Sequence, residues 1–320
     1  MFRNVLYMDP PDHTRLRQLV TKAFTPRVVD RLRPRIEELT GDLLSSVASL
    51  GAAGRAVDLM AAFAAPLPKT VICELLGIPE SDRPDFAAWS DALNGADPSA
   101  DQIGPLRQAA AYLGALAERK RTQPGPDLLS AMVEASQDGD RLSRQELIAM
   151  TVLMVLAGQD TTVNLIGNGV LAFLQAPDQL ALVRSDPELL PGAIEEIVRY
   201  DCPVNVSAER FTLAPIVLGG VEIPAGELLY PSMLSANRDP RQFARPDAFD
   251  ITRDTRGHLG FGHGIHYCVG APLARLEGVI ALGMLFARFP GLRLAASPDS
   301  LARRDSTLLH GLVELPVYLE

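Results

Sequence analysis

The sequence predicts a mainly α-helical fold with a minor β sheet, and three observations carry that prediction. Apolar residues recur at helical spacing through most of the first two hundred positions, punctuated by proline and glycine. A further apolar helical run follows Cys268, through Leu273, Leu276, Ile280 and Leu285. β-Branched runs and turn pairs such as Gly219-Gly220 are concentrated between Pro203 and about Pro231. The 320 residues, 47% of them hydrophobic, suffice for one large core, and residues 1–320 are read as a single domain without internal repeats.

Taken in order, helices are expected at 12–24, 26–50, 58–77, 80–93, 102–122, 126–136, 143–175, 177–184, 187–200 and 270–288. Short strands near 204–212, 216–223, 292–295 and 312–319 supply the sheet. The polar stretch 94–101 reads as a mobile lid between two helices rather than a domain linker. Ser143-Arg144-Gln145-Glu146 forms a capping box that opens the longest helix, and Pro177 stops it. At 1.5 Å per residue that helix spans roughly 45 Å, and its apolar centre argues for burial. Its longest apolar run, 147–158, is too short to cross a bilayer. A net charge of −9 excludes general nucleic-acid affinity. Three scattered cysteines imply no disulfide framework and fit a reducing cytoplasm, and no signal or targeting segment is visible. Within 1–35, however, eight Lys and Arg stand against three Asp, a local surplus able to steer an acidic partner, or simply a solvated helix face.

Phe261-Gly262-His263-Gly264-Ile265-His266-Tyr267-Cys268-Val269-Gly270 is a glycine-rich loop that delivers one cysteine to a helix start, with Pro272 in the first turn. The glycines let backbone N–H groups turn toward the sulfur, and the helix offers its positive end, so both favour thiolate over thiol. Phe261 is expected to cover one side of the sulfur. Two other readings stand beside a thiolate-bound soft metal: a zinc site from His258, His263, His266 and Cys268, and a buried inert cysteine. The loop resembles the heme-binding loop of soluble bacterial cytochromes P450. That resemblance implies the P450 fold, heme b as cofactor and Cys268 as axial iron ligand, beside Phe261 and Gly270; a thiolate there favours O–O cleavage.

The long helix interrupts its apolar run with Ala157-Gly158-Gln159-Asp160-Thr161-Thr162, a costly insertion in a core. Small Ala157 and Gly158 suit close approach to a flat cofactor, and a threonine hydroxyl bonding back to a carbonyl can open the helix into a groove. The run is similar to the P450 central-helix motif, which makes Asp160 and Thr161 the acid–alcohol pair that manages protons during oxygen cleavage. The same resemblance selects Glu196 and Arg199 as the Glu-x-x-Arg pair, with Arg253 as third member of a structural charge cluster. It assigns His13, Arg17, Arg210 and His266 to the heme propionates. It also implies a further segment ahead of the helix carrying His13, so the chain is expected to be N-terminally shortened, with apolar surface left uncovered. The implied activity is a monooxygenase that inserts one atom of O2 into an apolar small-molecule substrate. Electrons derived from NAD(P)H are expected from a ferredoxin and its ferredoxin reductase, docking near the basic N-terminal helix. The alternatives are an oxidase that couples aromatic rings, and an impaired scaffold that binds a partner protein. No membrane or nucleic-acid role is implied.

Overall fold

A computed structural model describes residues 4–21, 24–94, 103–135 and 142–320. Twelve α-helices run through these residues. They are α1 (Asp12–Thr21), α2 (Pro26–Asp30), α3 (Arg33–Leu50), α4 (Pro66–Leu75), α5 (Arg83–Asn94), α6 (Ile103–Thr122), α7 (Leu128–Ala135), α8 (Arg144–Gln175), α9 (Pro177–Ser185), α10 (Leu190–Tyr200), α11 (Met233–Ala236) and α12 (Ala271–Arg288). The mainly helical prediction holds. The expected lid lies, from residue 95 on, outside the described residues, as do Arg3 and Lys22 of the basic segment.

α8 is the axis of the molecule. The capping box that starts it is formed: the Ser143 hydroxyl accepts from the Glu146 N–H at 3.2 Å, and the Ser143 N–H donates to the Glu146 carboxylate at 2.8 Å. The helix is long and apolar enough to cross a membrane by length and composition, but most of its apolar window is buried inside the protein, against α4, α6, α10 and α12. One apolar core extends from Val5 to Leu319 and includes Leu165, Ile166, Phe173 and Leu285. Burial of α8 is nevertheless incomplete at its centre, where Ala157 is exposed and Thr161 partly so.

Several expected elements divide. The run 26–50 breaks at Arg31-Leu32, and Pro34 sits in the first turn of the new helix. The run 58–77 begins as a strand, β1 (Val57–Asp58), then makes a π-helical turn over Met60–Ala64 before α4. Pro66 and Pro68, which offer no N–H, open that helix. The minor sheet is three separate small sheets rather than one. β1 pairs antiparallel with β7 (Pro316–Tyr318), which pairs with β6 (Arg293–Leu294). β2 (Arg210–Phe211) pairs with β5 (Leu228–Leu229), and β3 (Ile216–Leu218) with β4 (Val221–Ile223). Between β3 and β4, Gly219 and Gly220 adopt φ of 56° and 84°, the left-handed pair that a two-residue hairpin turn requires. Residues 204 and 206 form only isolated bridges, to Leu309 and Ser232.

Candidate active site

Cys268 lies between a 3-10 turn (Gly264–His266) and the first residue of α12, with Pro272 in the helix's first turn. Its N–H donates to the Phe261 carbonyl at 2.7 Å, which closes the loop. Gly260 fits because the loop passes against α10: a Cβ there would lie 2.1 Å from Val198 Cγ1. Burial pushes the Cys268 thiol pKa up. The Gly270 and Ala271 N–H groups, with Arg17 and Arg275, pull the other way without overcoming it. The loop N–H groups and the helix end thus act in the expected direction, toward thiolate, against the dehydration of a buried sulfur.

The loop is braced from beneath. Glu195 accepts two bonds from Arg275 of α12, at 2.5 and 2.9 Å, and pairs with His258 at 3.0 Å. Burial alone would raise its pKa, but these partners hold it at about 2. The Arg275 guanidinium also stacks 4.4 Å from the Phe261 ring centroid. His258 is thus tied to Glu195, and among the described residues no group of three or more His, Cys, Asp or Glu gathers for a metal, so the zinc reading has no geometry behind it.

His13, Arg17, Arg210 and His266 come to one locus. The His13 and His266 rings lie 4.6 Å apart at 62°. Arg17 donates to the Tyr267 carbonyl at 2.5 Å, and Arg210 to those of Ala208 and Glu209. The His13 pKa is lowered by burial, then by Arg17, with Asp9 and the Ile265 carbonyl opposing. That of His266 is lowered by burial, then by His13, Arg210 and Arg17 against Asp9. His13 is buried, and neither ring nitrogen completes a hydrogen bond of normal geometry. Two guanidinium groups beside a buried imidazole whose ring nitrogens find no partner among the described residues suit an anion, and carboxylates such as propionates fit there. Part of the basic surplus is neutralised by ion pairs: Arg15 pairs with Glu146, Arg33 with Asp30, and Arg35 with Glu38 and Glu74.

On α8, the Thr161 hydroxyl donates to the Ala157 carbonyl at 2.6 Å. Asp160 is buried and meets Arg304 at 3.3 Å. At Gly158 a Cβ would press on Ile72 Cδ1 at 3.1 Å, so its smallness also makes room for α4. Glu196 is fully buried, accepts from Arg199 at 2.6 and 2.8 Å, and lies 3.4 Å from Arg253. Arg199 also donates to the carbonyls of Asn237, Pro246 and Ala248. The adjacent Glu195, equally spaced for an ion pair in sequence, faces the cysteine loop instead. Sequence reading missed Glu195, Arg275 and Arg304. Only Arg275, in the second turn of the helix that follows Cys268, left a local signal.

A cysteine held by a glycine-rich loop at a helix start, beside two arginines and two histidines and in a protein whose core helix buries an acid next to a threonine, marks a thiolate-ligated heme protein. The cytochrome P450 family model matches residues 182–301. Cytochrome P450 107B1 of Saccharopolyspora erythraea is 55% identical over 98% of this chain and 76% of its own length. The vitamin D(3) 25-hydroxylase of Pseudonocardia autotrophica is 50% identical over 98% of this chain and 77% of its own. The solved structure of the P450 monooxygenase TamI with tirandamycin C bound superposes with a TM-score of 0.90 at 46% identity, covering 100% of this chain and 78% of that one. The chain belongs to the cytochrome P450 family; it binds heme b and is a heme-thiolate monooxygenase of the bacterial type.

Proposed function

We propose that residues 1–320 act as one heme domain that oxygenates an apolar, natural-product-like small molecule, with Cys268 as the iron ligand. The observation that carries this is the convergence of His13, Arg17, Arg210 and His266 on one locus while Arg17 also donates to Tyr267, next to the cysteine. Heme b, when bound, supplies oxygen activation, and the thiolate favours O–O cleavage. The four basic residues would grip the propionates, Phe261 and Gly270 shape the sulfur side, and Ala157 and Gly158, small residues of α8, would allow the flat cofactor to approach closely. Thr161, whose proton goes to Ala157, presents its hydroxyl oxygen as an acceptor, and Asp160 relays protons. Glu196, Arg199 and Arg253 hold the fold beneath. One relative is named for vitamin D(3) and a solved neighbour holds tirandamycin C, and both support an apolar substrate. Electrons come from a ferredoxin and its reductase, in a cytoplasmic setting that suits the free cysteines.

The test is the ferrous carbon-monoxide spectrum. The wild type is expected to show the red-shifted Soret band of thiolate ligation, and Cys268→His to lose it while retaining heme. A wild type that never shows the band under gentle reduction overturns the assignment.

A further inference from the structure

Asp160, Asn164 and Asn168 are spaced four apart on α8, so they form one stripe along the helix, and all three are buried. Each meets the same C-terminal segment. Arg304 Nη1 lies 3.3 Å from Asp160 Oδ2. Asn168 donates to the carbonyls of Asp201 and His310, both at 3.0 Å, and accepts from Arg303 at 3.3 Å. Gly311 passes so close to Asn164 that a Cβ would stand 1.9 Å from its Oδ1. The segment is closed on itself, since the Arg304 N–H donates to the Gly311 carbonyl at 2.9 Å and Arg303 bridges Leu312. Its tip is held as well, because the Asn205 amide donates to the carbonyls of Ser306 and Leu309.

We propose that Arg304 is a positioning residue for Asp160, held in place by a segment braced along the polar stripe of α8. The proposal rests on the reading of Asp160 as a proton relay. A buried carboxylate needs charge-assisted partners to stay ionised and oriented, and a guanidinium from a doubly anchored segment provides one with little freedom to drift. Arg304 touches neither substrate nor heme in this account; it acts through Asp160.

The experiment uses heme-loaded protein with a surrogate ferredoxin and ferredoxin reductase, and 7-ethoxycoumarin as an apolar probe. The quantity read is peroxide released per NAD(P)H consumed. Because misplaced protons divert reducing equivalents, Arg304→Gln is expected to raise that share at least about twofold. Arg304→Lys, which keeps the charge, is expected to restore most of the loss, and Arg304→Gln to add nothing in an Asp160→Asn background. A second readout is independent of turnover: melting shifts of the two single variants should exceed what the double variant shows, as for a contacting pair. If Arg304→Gln proves too unstable to load, Arg304→Lys and the double variant, which leaves no lone buried carboxylate, still decide. Unchanged peroxide with Arg304→Gln while Asp160→Asn raises it, equal losses in Gln and Lys, or additive melting shifts overturn the proposal. An Asp160→Asn variant without effect on peroxide sinks the relay reading instead.

Discussion

Glu277 of α12 carries its carboxyl into the apolar core, where Oε2 finds no donor among the described residues. Burial pushes its pKa from 4.5 up to about 8. An acid whose folded-state pKa lies above its unfolded value weakens folding as the pH rises past the unfolded value. Stability is therefore intact below 4.5, declines up to about 8, and then levels off. Each unit of such a shift is worth about 1.4 kcal/mol. Glu277→Gln should flatten this decline: a higher melting temperature than the wild type at pH 8, little difference near pH 4. Parallel curves for the two proteins would show that the carboxyl does not take up a proton on folding. The cationic cluster gives a second prediction at this scale. Arg17→Ala with Arg210→Ala should cost heme retention in apo-myoglobin transfer far more than Arg241→Ala with Arg256→Ala, whose side chains are almost wholly exposed and pair only locally. Equal transfer rates would return Arg17 and Arg210 to the solvated surface.

At the scale of elements, close packing between backbone and side chain decides more than composition does. Gly311→Ala must push aside Asn164, a residue anchored to the Pro203 carbonyl, so overpacking of about 1–3 kcal/mol is expected. Gly41→Ala, on α3 with only Met284 Cε at 3.8 Å, should instead gain up to about 1 kcal/mol of helix propensity. Thermal or denaturant unfolding of the two variants gives the comparison, and equal shifts would remove the segment 303–311 from the packed core. The same contrast explains what the sequence revealed. α8 and α12 were legible because a capping box, a first-turn proline and a long apolar period are local signals. β1, β5 and α11 were not, because two to four residues carry no period. Val57 becomes a strand only by meeting Val317, far along the chain. Even the break at Arg31-Leu32 sits inside a continuous helical pattern.

Across the whole molecule, the legible part of the site was the part written in short stretches: the cysteine loop, Asp160-Thr161, and His13 with Arg17 one turn apart. What stayed hidden joins distant segments, as Arg304 joins Asp160 and Arg275 joins Glu195, and no spacing rule reaches across such intervals. Large apolar side chains stand exposed around the β2–β5 and β3–β4 ladders: Phe211 at 62%, Leu213 at 97%, Val217 and Val221 at 63%. Short ladders with open edges and an apolar face invite pairing with another chain. Concentration-dependent self-association is therefore expected in sedimentation velocity, together with binding of a hydrophobic dye. Replacing Leu213 by Ser, and Leu218 and Val221, which pair across the β3–β4 hairpin, by Thr keeps the strand preference of the two paired positions while removing their exposed apolar face. That variant should sediment as a monomer, bind less dye and keep its heme spectrum, since none of the three positions belongs to the site. A wild-type chain that stays monomeric and dark to the dye at high concentration would show that these side chains are too dispersed to act as one patch.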